Sequence, residues 1–192
     1  MALAYTDVQV EIREISLQDR PEGLYKVSKK GTVPVLITVD NLVIDESLKI
    51  MLWTLKNNLN QTWLTKNFNQ ELEIINRNDV LFKKWLDRYK YHDRYPENPK
   101  IYYRKKCDNI LSDYENQLNN TKYFLRDSIS IADIAIFPFV RQFANVDYQW
   151  FENNHKKLTS WLKKICSSNL FIQTMIKYEI WNDKNKKIII IN

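Results

Sequence analysis

Val8, Val10 and Ile12 alternate with Gln9, Glu11 and Arg13, so residues 8–15 read as a strand with one buried face. Asp19-Arg20-Pro21-Glu22 then opens a short helix, with Asp19 as cap and the proline in the first turn, where a missing amide costs little. Residues 33–39 are a β-branched run that breaks at Asp40-Asn41, a hairpin-type turn, and Leu42-Val43-Ile44 return as a second strand. Asp45-Glu46-Ser47 lead into residues 48–55, whose apolar content predicts a buried helix. The first part therefore predicts β-α-β-β-α, beginning with a strand.

Residues 56–61 are polar and asparagine-rich and read as a linker, which divides the chain into a domain over 1–57 and an all-helical domain over 62–192. Beyond the linker Leu72, Ile75, Phe82, Leu86 and Tyr89 recur at helical spacing, in a helix that must stop before Pro96-Glu97-Asn98-Pro99. A further helix runs over about 100–118. Ser130 and Asp133 form a capping box, and Ile129 and Ile134 stand at the positions of a hydrophobic staple. The following residues 135–140 are apolar all round and predict a buried helix, kinked at Pro138 or carrying an unsatisfied carbonyl there. One or two amphipathic helices follow around Trp161, Leu162, Ile165, Phe171 and Ile176. The isoleucines at 188–191 fit either a docked extension or a frayed apolar end, and no internal repeat is visible.

Composition narrows the classes. Of the 192 residues, 44% are hydrophobic and 13% aromatic, enough for a sizeable core. The net charge of +6 is spread over short pairs such as Lys29-Lys30 and Lys83-Lys84, with only Lys184-Asn185-Lys186-Lys187 resembling a cluster. A nucleic-acid binder calls for a basic patch interleaved with aromatics, so solvated helix faces are the preferred account and no nucleic-acid partner is expected. Cys107 and Cys166 are far apart and form no Cys-x-x-Cys pair, and His92 and His155 are the only histidines, so neither a disulfide framework nor a metal site is expected. No stretch approaches the roughly 18 apolar residues of a membrane span, and no signal peptide is recognisable. The expected location is the cytoplasm, with no membrane partner.

Three motifs carry a resemblance. The first is Gly31-Thr32-Val33-Pro34-Val35-Leu36; the second is Asp45-Glu46-Ser47, eleven to thirteen residues beyond Pro34; the third is the capping box at Ser130 and Asp133. Together with a small β-α-β-β-α domain followed by helices, they resemble the glutathione transferase superfamily. The resemblance implies an α/β plus all-α fold: a thioredoxin-like N-terminal domain lacking its first strand, then a helical C-terminal domain. It implies a cis peptide bond before Pro34, with Val33 offering its backbone amide and carbonyl to the cysteinyl part of glutathione by strand addition. Glu46 would face the γ-glutamyl ammonium group and Ser47 would donate hydroxyl and amide to its carboxylate, aided by free amides at the helix start. Lys30 is a further candidate, steering the glycyl carboxylate, although a solvated lysine is the preferred reading. Arg88, Tyr89 and Arg141 lie on helices that wall the electrophile site in the family; surface or core packing is the preferred account of each.

The family also needs a Tyr, Ser or Cys after its first strand to favour or supply a thiolate. By the resemblance, residues 1–5 match the last turns of the family's first helix and residues 8–15 its second strand, which leaves no catalytic residue in this chain; Tyr5 reads as packing. A strand and a Cys-Pro-type turn are expected upstream of Met1, a start at an internal methionine being preferred over a protein that lives without the strand. Without that strand, residues 8–15 are expected to lack a neighbour. The function implied is a glutathione-dependent transferase acting on small electrophiles, or a reductase of mixed disulfides, in a homodimer, with glutathione as co-substrate and no metal. The alternative is a non-catalytic interaction module resembling stringent-starvation proteins.

Overall fold

The computed structural model describes residues 1–58 and 61–181, together with the backbone of residues 189–191. The basic cluster at 184–187, Ile188 and part of the expected linker lie outside the described residues. The chain forms two compact units: one comprises Met1–Gln61 with Asn169–Asn192, the other Thr62–Ser168. The second unit thus closes well before the expected 62–192 boundary. The reason is that the chain from Asn169 onward returns to the first unit, as its contacts there show.

The first unit opens with a helical turn, α1 (Ala2–Tyr5), ahead of the expected strand. Thr6 closes it by donating its hydroxyl to the Ala2 carbonyl at 3.1 Å and lies 2.5 Å from Thr54 Oγ1, a buried contact that fixes α1 to α3 (Ser47–Lys56). Strand β1 covers Val10–Ile12, three residues instead of eight, because only these find register partners. The partners are unexpected. The strand β4 (Ile189–Ile191) pairs antiparallel with β1, Val10 opposite Ile191 and Ile12 opposite Ile189. The Trp181 amide donates to the Glu14 carbonyl at 2.8 Å, and the Arg13 guanidinium lies 4.8 Å from the Trp181 ring. The expectation that this strand would lack a neighbour is therefore corrected: the C-terminal segment covers it. The short helix α10 (Asn169–Thr174) packs on α1, and Ile176 beyond it is exposed.

Helix α2 (Glu22–Val27) forms where the sequence predicts a short helix, but Pro21 is its N-cap residue and no side chain among the described residues caps it, so the expected cap at Asp19 is corrected. Strands β2 (Val35–Ile37) and β3 (Val43–Asp45) form a second antiparallel pair, Val35 opposite Asp45 and Ile37 opposite Val43. Asn41 takes φ +63 in the turn, a conformation asparagine tolerates better than most residues. Thr38 ties the turn, donating to Asp40 Oδ1 at 2.5 Å and accepting from the Leu42 amide at 3.0 Å.

In the second unit the first predicted helix is broken into pieces. Helix α4 (Phe68–Arg77) passes through a π-helical stretch at Asn78–Phe82 into α5 (Lys83–Lys90), and a 3₁₀ turn at His92–Arg94 finishes it. Helix α6 (Lys100–Gln117) begins after Pro99, whose lost amide falls where helices have no partner for it. Phe82, Tyr114, Phe124, Phe143 and Trp161 interlock as a buried aromatic core with centroids 5.1–6.3 Å apart.

Helix α7 (Ile131–Ala144) starts at the capping box. Both oxygens of the buried Asp133 carboxylate are used: Oδ2 accepts from the amide and hydroxyl of Ser130, each at 2.8 Å, and Oδ1 from the Phe124 amide at 2.9 Å and Trp161 Nε1 at 2.8 Å. Pro138 does not end α7. It sits on the exposed side and leaves the Ile134 carbonyl without its i+4 donor, as expected for proline inside a helix. Helices α8 (Tyr148–Asn154) and α9 (Lys156–Cys166) complete the unit, Asp147 capping α8 and the Glu115 carboxylate accepting from the Lys157 and Leu158 amides of α9. No helix among the described residues is long and apolar enough to cross a membrane.

Candidate functional site

The β2–β3 hairpin brings the first two motifs together. Pairing of Val35 with Asp45 ends the paired register, so Val33-Pro34 immediately precede one strand of the hairpin and Glu46-Ser47 immediately follow the other, at the same end. The ladder stops there for two local reasons. Pro34 has no amide to donate, and Glu46 turns the chain at φ +69, outside strand geometry. Val33–Pro34 is a cis peptide bond, as the resemblance implies. Val33 is 45% exposed, and its amide and carbonyl have no hydrogen-bond partner among the described residues. An open length of backbone therefore lies beside the start of α3.

Gly31 prepares this segment. It is buried at φ +58, its amide donates to the Ser28 carbonyl at 2.8 Å, and a Cβ there would stand 2.3 Å from the Tyr25 ring. Only glycine meets both conditions without strain.

The start of α3 is the second half of the site. Glu46 is its N-cap residue, and among the described residues no side chain caps it, so the amides of Ser47, Leu48 and Lys49 have no partner there and can meet an anion. Ser47 is exposed, and its hydroxyl makes no hydrogen bond among the described residues. A non-glycine residue at φ +69 costs about 1–3 kcal/mol, and such strain clusters at functional sites. Glu46 is exposed, so packing does not require that conformation.

Lys30 joins the same group: its Nζ lies 3.5 Å from Glu46 Oε1. Lys49, which the sequence reading passes over, stands 3.4 Å from Glu46 Oε2 and 3.6 Å from Asp45 Oδ1. The signal for Lys49 was its spacing of three and four residues from those acids. The Glu46 carboxylate beside it, and then Asp45, raise its ammonium above the ordinary range. The cluster thus brings together two ammonium groups, two carboxylates, helix-start amides and an open strand edge.

The other sequence candidates lie in the second unit. Tyr89 is in the core, its ring 5.0 Å from that of Phe143, and burial raises its phenol. Arg88 donates to the Lys84 carbonyl and lies over Tyr95 at 4.8 Å. Arg141 is half-buried on α7 and reaches the Cys166 thiol. Burial raises both thiols, Cys107 strongly with Asp108 adding to it, and Cys166 against the opposing pull of Arg141. Tyr5 is half-buried on α1. Among the described residues no three His, Cys, Asp or Glu side chains come together in a way that could hold a metal ion.

Comparison with known proteins agrees with this architecture. Residues 1–62 match the glutathione S-transferase N-terminal domain and residues 79–169 the glutathione S-transferase C-terminal domain. The chain belongs to the glutathione S-transferase superfamily, with a thioredoxin-like N-terminal part and a helical C-terminal domain. No curated protein matches it significantly. Among solved structures it is similar to the glutathione transferase URE2P6 from Phanerochaete chrysosporium in complex with oxidized glutathione, at 15% identity and a TM-score of 0.78, covering 90% of this chain and 86% of that one. It is also similar to a glutathione S-transferase from Methylobacillus flagellatus with glutathione bound, at 18% identity and a TM-score of 0.72, covering 90% of each chain. Poplar glutathione transferase F1 aligns at 18% identity and a TM-score of 0.75, over 91% of this chain and 88% of that one.

Proposed function

We propose that this protein binds glutathione along the Val33-Pro34 edge and the start of α3, and that it serves in conjugation of glutathione to small electrophiles or in reduction of mixed disulfides. The observation that carries the reading is the open Val33 backbone at the same end of the β2–β3 hairpin as the α3 start, which no side chain among the described residues caps. The cysteinyl part of the tripeptide pairs with the Val33 amide and carbonyl as an added strand. The γ-glutamyl carboxylate takes the Ser47 hydroxyl and the α3 amides, where the helix dipole favours an anion. Glu46 receives the γ-glutamyl ammonium group, exchanging Lys30 for it, and the released Lys30 meets the glycyl carboxylate. These roles concern binding. Activation of the thiol is assigned to no residue of this chain, and both cysteines are held as thiols by burial.

The assembly in this reading is a homodimer, the small domain of one subunit against the helical domain of the other. Exposed Ile101, Tyr102 and Tyr91 on the second unit supply apolar surface for such contact. Glutathione titration by calorimetry tests the reading, with light scattering for the oligomer. Binding that is lost in Ser47→Ala together with Glu46→Ala supports it. No binding by the intact chain at millimolar glutathione refutes it and favours a non-catalytic interaction module.

A further inference from the structure

A recess of about 390 Å³ opens in the second unit between the loop after α6 and the exposed face of α9, well separated in sequence from the hairpin site. Lys122 from the loop and Lys157 and Lys164 from α9 line it, with Ser160 between the latter two and Trp161 at the base. Positions 157, 160, 161 and 164 recur at helical spacing, so one face of α9 turns all of them toward the recess. Asp127 is the single carboxylate in the lining, and its Oδ1 already accepts from the Lys122 amide at 3.0 Å. Among the described residues none of the three ammonium groups has a carboxylate within ion-pairing distance; Lys164 lies 4.6 Å from the Tyr123 ring. Other lysines of this unit, Lys83 and Lys163, have taken acidic partners.

The two walls are fixed to one anchor. The loop is held through the Phe124 amide and α9 through Trp161 Nε1, both donating to Asp133 Oδ1 at 2.9 and 2.8 Å. A further bond closes the loop from Tyr123 to Arg126 at 3.0 Å. The α9 amides are not what the recess offers, because Glu115 occupies those of Lys157 and Leu158. What remains is three exposed ammonium groups without a carboxylate partner among the described residues and the Ser160 hydroxyl, on two walls tied to one carboxylate.

We propose that this recess binds a small polyanion carrying two or more phosphate groups, at a site independent of glutathione. The phosphate oxygens take the Lys122, Lys157 and Lys164 ammonium groups and the Ser160 hydroxyl, and Trp161 limits the depth. The test is calorimetry with sodium tripolyphosphate at low salt, using the full chain. One-to-one binding is expected, weakened at least about tenfold in Lys157→Glu/Lys164→Glu and little changed in Lys84→Glu/Lys105→Glu, which carries the same net charge change on exposed lysines elsewhere. Circular dichroism confirms that both variants fold. Adenosine triphosphate distinguishes the source: tighter binding than tripolyphosphate assigns a nucleotide, equal binding a polyphosphate group alone, and both support the site. Equal weakening in the two double variants would mean a response to overall charge and overturns the proposal. So does absence of binding, or binding of a single-stranded oligonucleotide that tripolyphosphate does not displace. Glutathione binding, unaffected by these variants in either case, separates this proposal from the hairpin reading.

Discussion

Lys30 Nζ lies 3.5 Å from Glu46 Oε1, so the two residues that the resemblance offers as candidates for opposite ends of glutathione, Lys30 only as the less favoured reading, are paired with each other. Their side chains are 68% and 52% exposed, and an ion pair in such solvent contributes at most about 1 kcal/mol, so it yields easily to a ligand. In the binding reading, Glu46→Ala removes the carboxylate assigned to the γ-glutamyl ammonium and weakens glutathione about tenfold or more, whereas Lys30→Ala weakens it only about two- to threefold. Thermal stability of both variants stays within about 2 °C of the parent. Calorimetry with glutathione and with its analogue lacking the γ-glutamyl amine decides the matter. Equal affinity of Glu46→Ala for the two ligands is expected; a tenfold difference persisting in the variant removes Glu46 from that role.

Gly31 makes a sharper demand on the backbone. With φ at +58 and the Tyr25 ring 2.3 Å from where a Cβ would stand, Gly31→Ala faces both torsional strain and a clash. Tyr25 is 48% exposed and can swing away, so the torsional cost decides the outcome, about 1–2 kcal/mol. A lower urea midpoint with unchanged slope is the expected result. Gly31→Asn, a residue tolerated in this region, recovers most of the loss unless the clash dominates.

The C-terminal strand is the part of the fold that protects β1. In a chain ending at Trp181, the Val10–Ile12 backbone loses the antiparallel partner provided by Ile189–Ile191. Amide exchange measured by mass spectrometry is expected to accelerate at least about tenfold over residues 10–12 and to stay unchanged in α6 and α7. Unaltered exchange at β1 would show that the pairing adds no protection.

Local signals were legible and distant ones were not. The capping box could be read because Ser130 and Asp133 are three residues apart and answer each other, and the hairpin because Asp40-Asn41 interrupts two β-branched runs. The spacing of Lys49 from Asp45 and Glu46 was an equally local signal, but the sequence reading passed over it. By contrast, nothing near Val10 announces a partner at Ile191, and alternation alone overextended the strand to eight residues. The return of the chain from Asn169 to the first unit was hidden likewise, since α10 is too short to carry a periodic signature. The π-helical stretch at Asn78–Phe82 shifts the helical phase without any proline or glycine to mark it.

Two buried carboxyls give the protein an acid response of definite sign. Burial is the leading cause that raises Glu71, over the opposing pull of Thr65 and Arg126, and Glu71 Oε2 has no hydrogen-bond partner among the described residues. Burial also leads at Asp133, against its four donors. A carboxyl whose folded pKa exceeds its unfolded value, about 4, takes up its proton first in the folded state. Its contribution is fully present below the unfolded pKa and is lost as pH rises through the folded one. Glu71→Gln abolishes that titration. The stability of the parent relative to Glu71→Gln is therefore expected to rise as pH falls from 7 to 4, read from urea denaturation at several pH values. A flat or falling difference contradicts the burial argument. Asp133→Asn behaves differently, because one amide oxygen cannot serve two sets of donors. Either the Ser130 pair or the Phe124 and Trp161 pair loses its acceptor, at a cost of about 3 kcal/mol at neutral pH. Since the Trp161 indole is one of those donors, its fluorescence reports which pair was lost.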